Sequence, residues 1–286
     1  MTPSEIEHLR SWIGKTEEAT DTVTPRLVRM LRATLFMEPG EPKVGDPVPW
    51  MTHWCFALDI VSASEIGADG HPKRGGFLPP VPLPRRMWAG GKTDFVDRVL
   101  VGDQLYRKAE IADVAVKSGS TGQLCFVTIN HTISSDRGVA IRESQTVVYR
   151  AEAAAGAATA ASATAAPPKP THQQRRFADP VLLFRYSAVM FNGHRIHYDR
   201  SYVTQEEGYP GLVVHGPLIA TLLIDLLRRN APGAVVTDFA FKAVRPTYDL
   251  NPFTVLGQPS ADGKSVQLWA HDHEGWLTMQ ATAKIL

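Results

Sequence analysis

The amino-acid sequence predicts an α+β protein made of two units of similar design, each a central helix wrapped by a curved antiparallel sheet. Three observations lead there. An alanine- and proline-rich run at residues 151–170 parts the chain into two stretches, each of the size of a small domain. Each stretch opens with helical periodicity and closes on three or four strand-like runs separated by turn residues. In the second stretch, Leu218, Ile219, Leu222, Leu223, Leu226 and Leu227 cover so much of one helix that something must enclose it.

Taken in order, residues 25–37 place Leu27, Val28, Met30, Leu31 and Leu35 close to a helical stripe, and residues 50–64 are a second apolar stretch of helical length. A connector at residues 75–84, rich in proline and glycine, ends the helical part. Strand-like runs follow at residues 93–99, 104–116, 123–134 and 139–149. They are broken by Gly102-Asp103, by residues 119–122 and by Asp136-Arg137-Gly138, all suited to tight turns. The alanine run has no large side chain to pack and ends in Pro167-Pro168-Lys169-Pro170, which predicts an interdomain linker over residues 151–173. The units are therefore expected at residues 1–150 and 174–286. In the second, residues 181–189 read as a strand leading into a polar loop at 191–199. A Gly-Tyr-Pro-Gly loop at 208–211 precedes the helix, expected at 217–229 with Pro217 in its first turn. Strands at 235–244, 253–258, 265–271 and 276–285 complete the unit.

Composition narrows the function classes. Thirty basic and 29 acidic residues nearly cancel, so no nucleic-acid partner is expected. No run of about 20 apolar residues is present to span a membrane. The polar start lacks a secretory signal, and Cys55 and Cys125 read as reduced core thiols; cytoplasm is the expected location. Two cysteines and scattered histidines form no zinc signature, so no metal is expected.

The chemistry concentrates at residues 191–199, Phe-Asn-Gly-His-Arg-Ile-His-Tyr-Asp, and at His215-Gly216 immediately before the apolar helix. The first amides of a helix have no partners within it and carry partial positive charge. A thioester carbonyl set against them is polarised, and an enolate oxygen formed there is stabilised. Gly216 lets a ligand approach that backbone, and a histidine such as His197 can move a proton to or from water near neutral pH.

The stretch 191–199, followed by Val-Val-His-Gly-Pro at 213–217 and an apolar helix, resembles the active-site signature of the MaoC-like (hydratase 2) hot-dog family, Asp-x-Asn-x-Ile-His-x-Asp and then His-Gly. Its Phe-Asn-x-His-Arg-Ile-His-Tyr-Asp form is most similar to the branch of mesaconyl-C4-CoA and itaconyl-CoA hydratases and mitochondrial type 2 hydroxyacyl-thioester dehydratases. Residues 75–91 resemble the amino-terminal half of that branch. The resemblance implies a double hot-dog that reversibly hydrates an enoyl thioester, a CoA ester of small size, with no cofactor and with association into a homodimer. It matches His197 to the catalytic histidine and Gly216 to the backbone oxyanion donor. The family's aspartate falls on Asn192, an amide that can orient water but cannot take its proton. Asp199, His194 and His215 are then supporting residues, with Asp199 either orienting His197 or capping local backbone. A branched dicarboxylic acyl group would need cations, for which Arg86, Arg185, Arg195 and Arg245 are the candidates. Trp88, Gly90 and Gly91 either line the acyl pocket or start a strand. The alternatives are a thioesterase, which hot-dog folds also support, and a non-catalytic acyl-thioester binding protein.

Overall fold

The computed structural model describes residues 1–119, 122–151, 164–167 and 170–286. Five strands form the first half: β1 (Thr16–Thr22), β2 (Arg85–Phe95), β3 (Gln104–Gly119), β4 (Gly122–Ser135) and β5 (Gly138–Arg150). Five more form the second: β6 (His172–Arg176), β7 (Val236–Ala243), β8 (Phe253–Pro259), β9 (Ser265–His271) and β10 (Leu277–Ile285). All ten join one antiparallel sheet in the order β1-β3-β4-β5-β2-β7-β10-β9-β8-β6. Numbered within its own half, each set of five strands follows the same order, 1-3-4-5-2. The duplication read from the sequence therefore holds at the level of topology, and the structure is the expected double hot-dog.

The seam between halves is β2 against β7, from Gly90 opposite Lys242 to Asp94 opposite Asp238. It is unusually close. A Cβ on Gly90 would lie 2.6 Å from the carbonyl oxygen of Phe241, so only glycine fits. Lys92 bridges Asp94 (3.0 Å) and Asp238 (3.1 Å) across the same seam. The glycine pair thus does not start a strand: β2 runs through it, starting eight residues before the expected 93.

The helices are α1 (Pro3–Arg10), α2 (Pro25–Thr34), α3 (Pro180–Val189), α4 (Arg200–Gln205) and α5 (Gly216–Asn230). α5 is the enclosed helix that the sequence demands: every residue from Pro217 to Leu227 is buried. Strands β8, β9 and β10 pack on it, and a Leu→Ala change in its centre is expected to cost about 2–5 kcal/mol. Its one buried carboxylate, Asp225, is neutralised by Arg228 (2.7 Å) and Arg229 (2.6 Å).

Two sequence expectations are corrected. Residues 181–189 form helix α3, not a strand: Asp179 caps it by accepting the Leu182 amide at 2.8 Å, and Pro180 opens its first turn. The stretch 50–64 is not a long helix. Met51 and Ala57 both take positive φ, which brackets a single 3-10 turn at Thr52–Cys55, with another at Ala63–Glu65. In the first half the sheet is instead covered by α1, by α2, whose Val28 packs with Leu105, Ile133 and Ile141, and by the proline-rich connector, whose Val81 packs with Ala109, Ile111, Val127 and Tyr149. Finally, most of the expected linker (152–163 and 168–169) lies outside the described residues. Of what is described, Ala165 bridges to Trp276 and His172 already pairs in β6, so the run is tied to the second half before residue 173. Residues 120–121 of the expected turn at 119–122 also lie outside the description. Among the described residues no helix is long and apolar enough to cross a membrane. Cys55 and Cys125 are free and buried.

Candidate active site

Helix α3 aims the polar segment. It ends in a Schellman turn: the Asn192 amide reaches the Ser187 carbonyl at 2.8 Å and the Phe191 amide reaches Ala188 at 3.4 Å, with Phe191 at φ +49°. The Asn192 side chain then accepts the His194 amide at 2.9 Å. Asn192 is therefore part of the turn that presents the histidines, and its Nδ2 and the second lone pair of Oδ1 are left to meet a water or substrate.

His197 follows on a short 3-10 turn and is buried. Its Nδ1 lies 2.7 Å from the Val213 carbonyl oxygen. A carbonyl only accepts, so Nδ1 carries the proton and Nε2 is the bare, basic nitrogen. Val213 is itself held, its amide on the Ile196 carbonyl at 3.0 Å and its neighbour Val214 on Thr247 at 2.8 Å. The His197 ring stacks on His215 (centroids 3.6 Å apart, 17° between planes), and His215 is fixed by Ser187 Oγ at 2.8 Å. That stack sets the base beside the start of α5. There Ile219 is the first residue to bond back along the helix, to His215, at 3.2 Å. The Gly216 and Leu218 amides precede it and Pro217 has none, so two unpartnered N–H groups mark the helix end. A Cβ on Gly216 would meet only Trp88 O and Met279 Cε, both 3.9 Å away. A methyl group at Gly216 would therefore make only ordinary contacts with the protein.

Burial keeps these imidazoles neutral. His197 is pushed down to about 4 by desolvation, His215 lies well below its ordinary value, and His194 lies far below, with neighbouring imidazoles adding to the effect.

The other expected residues sort by position. Asp199 does not reach His197. It caps α4 by accepting the Tyr202 amide at 3.0 Å and pairs with Arg195 at 2.8 Å, the capping role of the two foreseen. Arg195 is spent on Asp199 and on the Ala68 carbonyl at 3.0 Å. Arg185 stands exposed on α3, and Arg245 pairs with Asp272 at 3.5 Å. Arg86 is different. Half-buried on β2, it reaches the Pro72 carbonyl at 3.5 Å and lies near enough to Asp69, His71 and His194 to act on them electrostatically. Trp88 lies against Gly216 and forms an aromatic wall with Trp54 (4.8 Å) and Phe241 (5.9 Å). Gly90 and Gly91 serve the seam. His53 and Trp54 are buried on Glu143 at 3.1 and 2.9 Å.

Sequence reasoning missed Asp69 and His71. They sit on a loop of the first half, joined at 3.2 Å, and the His71 ring lies 3.9 Å from that of His194. The donor atoms of Asp69, His71 and His194 lie within 4.8 Å of one another. No spacing motif links positions more than a hundred residues apart, and only the folded contact reveals them.

Residues 51–249 match the family model of hydroxyacyl-thioester dehydratase type 2. The chain is 40% identical over 277 residues to mesaconyl-C(4)-CoA hydratase of Chloroflexus aurantiacus, covering 96% of this chain and 97% of that one. Among solved structures it is similar to HtdX of Mycobacterium tuberculosis, with a TM-score of 0.65 at 16% identity over 95% of this chain and all of that one. A second M. tuberculosis protein, described as a double hot-dog, gives a TM-score of 0.55 at 14% identity over 96% of each chain.

Proposed function

Since the chain belongs to the hydroxyacyl-thioester dehydratase type 2 family, we propose that it catalyses the reversible hydration of an enoyl-CoA thioester. The observation that carries this reading is the stack of His197 on His215, which sets a bare imidazole nitrogen beside the unpartnered amide of Gly216. The thioester oxygen binds at that amide. Water adds its oxygen to Cβ and gives a proton to His197 Nε2, while the double-bond pair moves onto the carbonyl oxygen. The Gly216 amide and the end of α5 stabilise the enolate so formed. A proton then returns to Cα. The scheme calls on no metal or redox group.

The acyl group, in this reading, is a branched dicarboxylic one of the mesaconyl-C4 or itaconyl kind, as in the Chloroflexus relative. Arg86 supports it, as the one candidate arginine that acts electrostatically on His194. The reading extends to the cytoplasm, where free thiols such as Cys55 and Cys125 persist, and to a homodimer, which sedimentation checks.

The test is a panel of mesaconyl-C4-, itaconyl- and crotonyl-CoA followed by loss of enoyl absorbance. Hydration of at least one thioester is expected, with Arg86→Gln raising KM about tenfold or more for the dicarboxylic substrates only. Release of free thiol without hydration would make the protein a thioesterase. Equal efficiency on crotonyl-CoA would remove the role of Arg86.

A further inference from the structure

Hydration takes a proton from water and gives one to carbon, and His197 as a lone carrier would hold a full charge in a buried site between the two events. Residue 192 is an amide, and Asp199 is spent on α4 and Arg195. Among the described residues, the carboxylate hydrogen-bonded to a histidine of this group is Asp69, and it comes from the other half of the chain.

The loop that brings it is built for the purpose. Gly67 and His71 close a tight turn (2.7 Å), and Ile66 bridges to Pro72. The Arg195 amide donates to the Asp69 carbonyl at 2.9 Å. A Cβ on Gly70, at φ +87°, would lie 1.9 Å from the Gly193 carbonyl oxygen, and one on Gly193 would lie 2.7 Å from that of Gly70. Backbone thus meets backbone, with no side chain between to give way. The Asp69 carboxylate holds the His71 amide at 3.0 Å and the His71 Nδ1 at 3.2 Å, so His71 Nε2 is left bare. The rings continue from His71 to His194 (3.9 Å) and edge-on from His194 to His197 (5.4 Å).

We propose that Asp69 and His71 form the charge-compensating end of an electrostatic relay, His71–His194–His197, which offsets the charge on His197 while it holds the proton taken from water until Cα receives it. The inference rests on the hydratase reading. The water O–H bond breaks, its oxygen bonds to Cβ, and the proton enters at His197 Nε2. It stays on His197, whose charge the Asp69 anion offsets across the His71 and His194 rings. It returns as the enolate pair closes the Cα–H bond, so one proton enters and one leaves. Asp69 acts through His71 and is a positioning residue. The groups facing the relay are Arg86 from β2, Arg74 from its own loop, Tyr202 from α4, and His215. Arg86, Arg74 and burial oppose a proton on His71, and Asp69 favours one.

The test measures kcat, KM and pH profile with mesaconyl-C4-CoA for the wild type, D69N, H71Q, N192D and D69N/N192D, with thermal melts alongside. D69N keeps the shape of the loop. It is expected to lower kcat about tenfold to a hundredfold with KM within about twofold, and to move the acid limb to lower pH, because the histidines lose the anion that made them basic. H71Q keeps the anion but loses the ring that aims it, so it should lower kcat in the same direction and by less. N192D keeps the acceptor on the His194 amide and adds a charge beside the relay, so the double variant should recover most of the loss. Wild-type kcat and profile in D69N would overturn the relay. So would a loss that N192D leaves unrescued with the profile unmoved, which marks a structural role. If the wild type hydrates none of the panel thioesters, the functional reading fails and the relay with it; if it does and D69N is unaffected, only the relay fails.

Discussion

Acid should unfold this protein through its histidines. His197 is buried, and its pKa falls from an ordinary 6.5 to about 4 because desolvation penalises the imidazolium. A group with a depressed folded pKa leaves stability intact above the unfolded value and withdraws it as pH falls through the folded one. The window is therefore pH 6.5 down to 4. Integrating the linkage for His197 alone gives a loss of about 2 kcal/mol by pH 5 and about 3 kcal/mol by pH 4. His71, His131, His194 and His215 are depressed in the same direction and steepen the fall. Urea denaturation at pH 7, 6, 5 and 4, with the unfolding free energy plotted against pH, measures it. His197→Gln removes one titrating group. Near pH 5 its slope should be shallower than the wild type's by about 1 kcal/mol per pH unit. Equal slopes in the two proteins, or wild-type stability that is flat from pH 7 to 5, would refute the claim that the site holds its imidazoles neutral.

Other substitutions separate chemistry from fold. Gly216→Ala meets no protein atom closer than 3.9 Å, so the melting temperature should hold while kcat/KM falls about tenfold or more, read by steady-state kinetics. Gly70→Ala puts a methyl group into the Gly193 carbonyl; it should dislodge the loop and lower kcat with little change in global stability, checked by kinetics and calorimetry. His197→Ala should cost about 10²–10⁴ in kcat and leave a cooperative melt. Asp225→Ala removes the buried carboxylate that two partly exposed arginines hold at the end of α5 and should cost about 1–2 kcal/mol, with kcat of the folded fraction unchanged, measured by urea titration and active-site-normalised rates.

How much of this was legible in advance depended on how local each signal was. α5 was plain because its apolar positions leave no face for water, and only Asp225 hid its pairing within the helix. Strands β3 to β5 and β7 to β10 were legible because turn residues punctuate them at short range. Helix α3 was misread because Val181, Phe184, Tyr186 and Val189 favour strands, although Asp179-Pro180 carried the opposite, correct signal of a capped helix start. β1 was missed because Thr-Glu-Glu-Ala-Thr-Asp-Thr is polar, and at a sheet edge only backbone pairing with β3 holds it. At the site, His197 and Gly216 stood out through spacing to a helix start. Asp69 and His71 did not, because their partners lie in the other half.

That division of labour follows from the sheet. Both halves use the same strand order, yet they fill the space between their first and second strands differently. In the second half that insertion ends in α5, which gives the site its oxyanion donor. In the first half the insertion ends in prolines, which cannot sustain a helix interior, so the chain stays extended and free to reach out. The close seam at Gly90 places β2 along the second half and with it Arg86 and Trp88 at the mouth of the site. The loop at residues 67–72 then spans to Gly193. The half without a long enclosed helix thereby supplies a wall, a cation and a carboxylate to the half that has one. Asn192 is tolerable for the same reason: a turn-forming amide can occupy that position where a carboxylate arrives from across the chain.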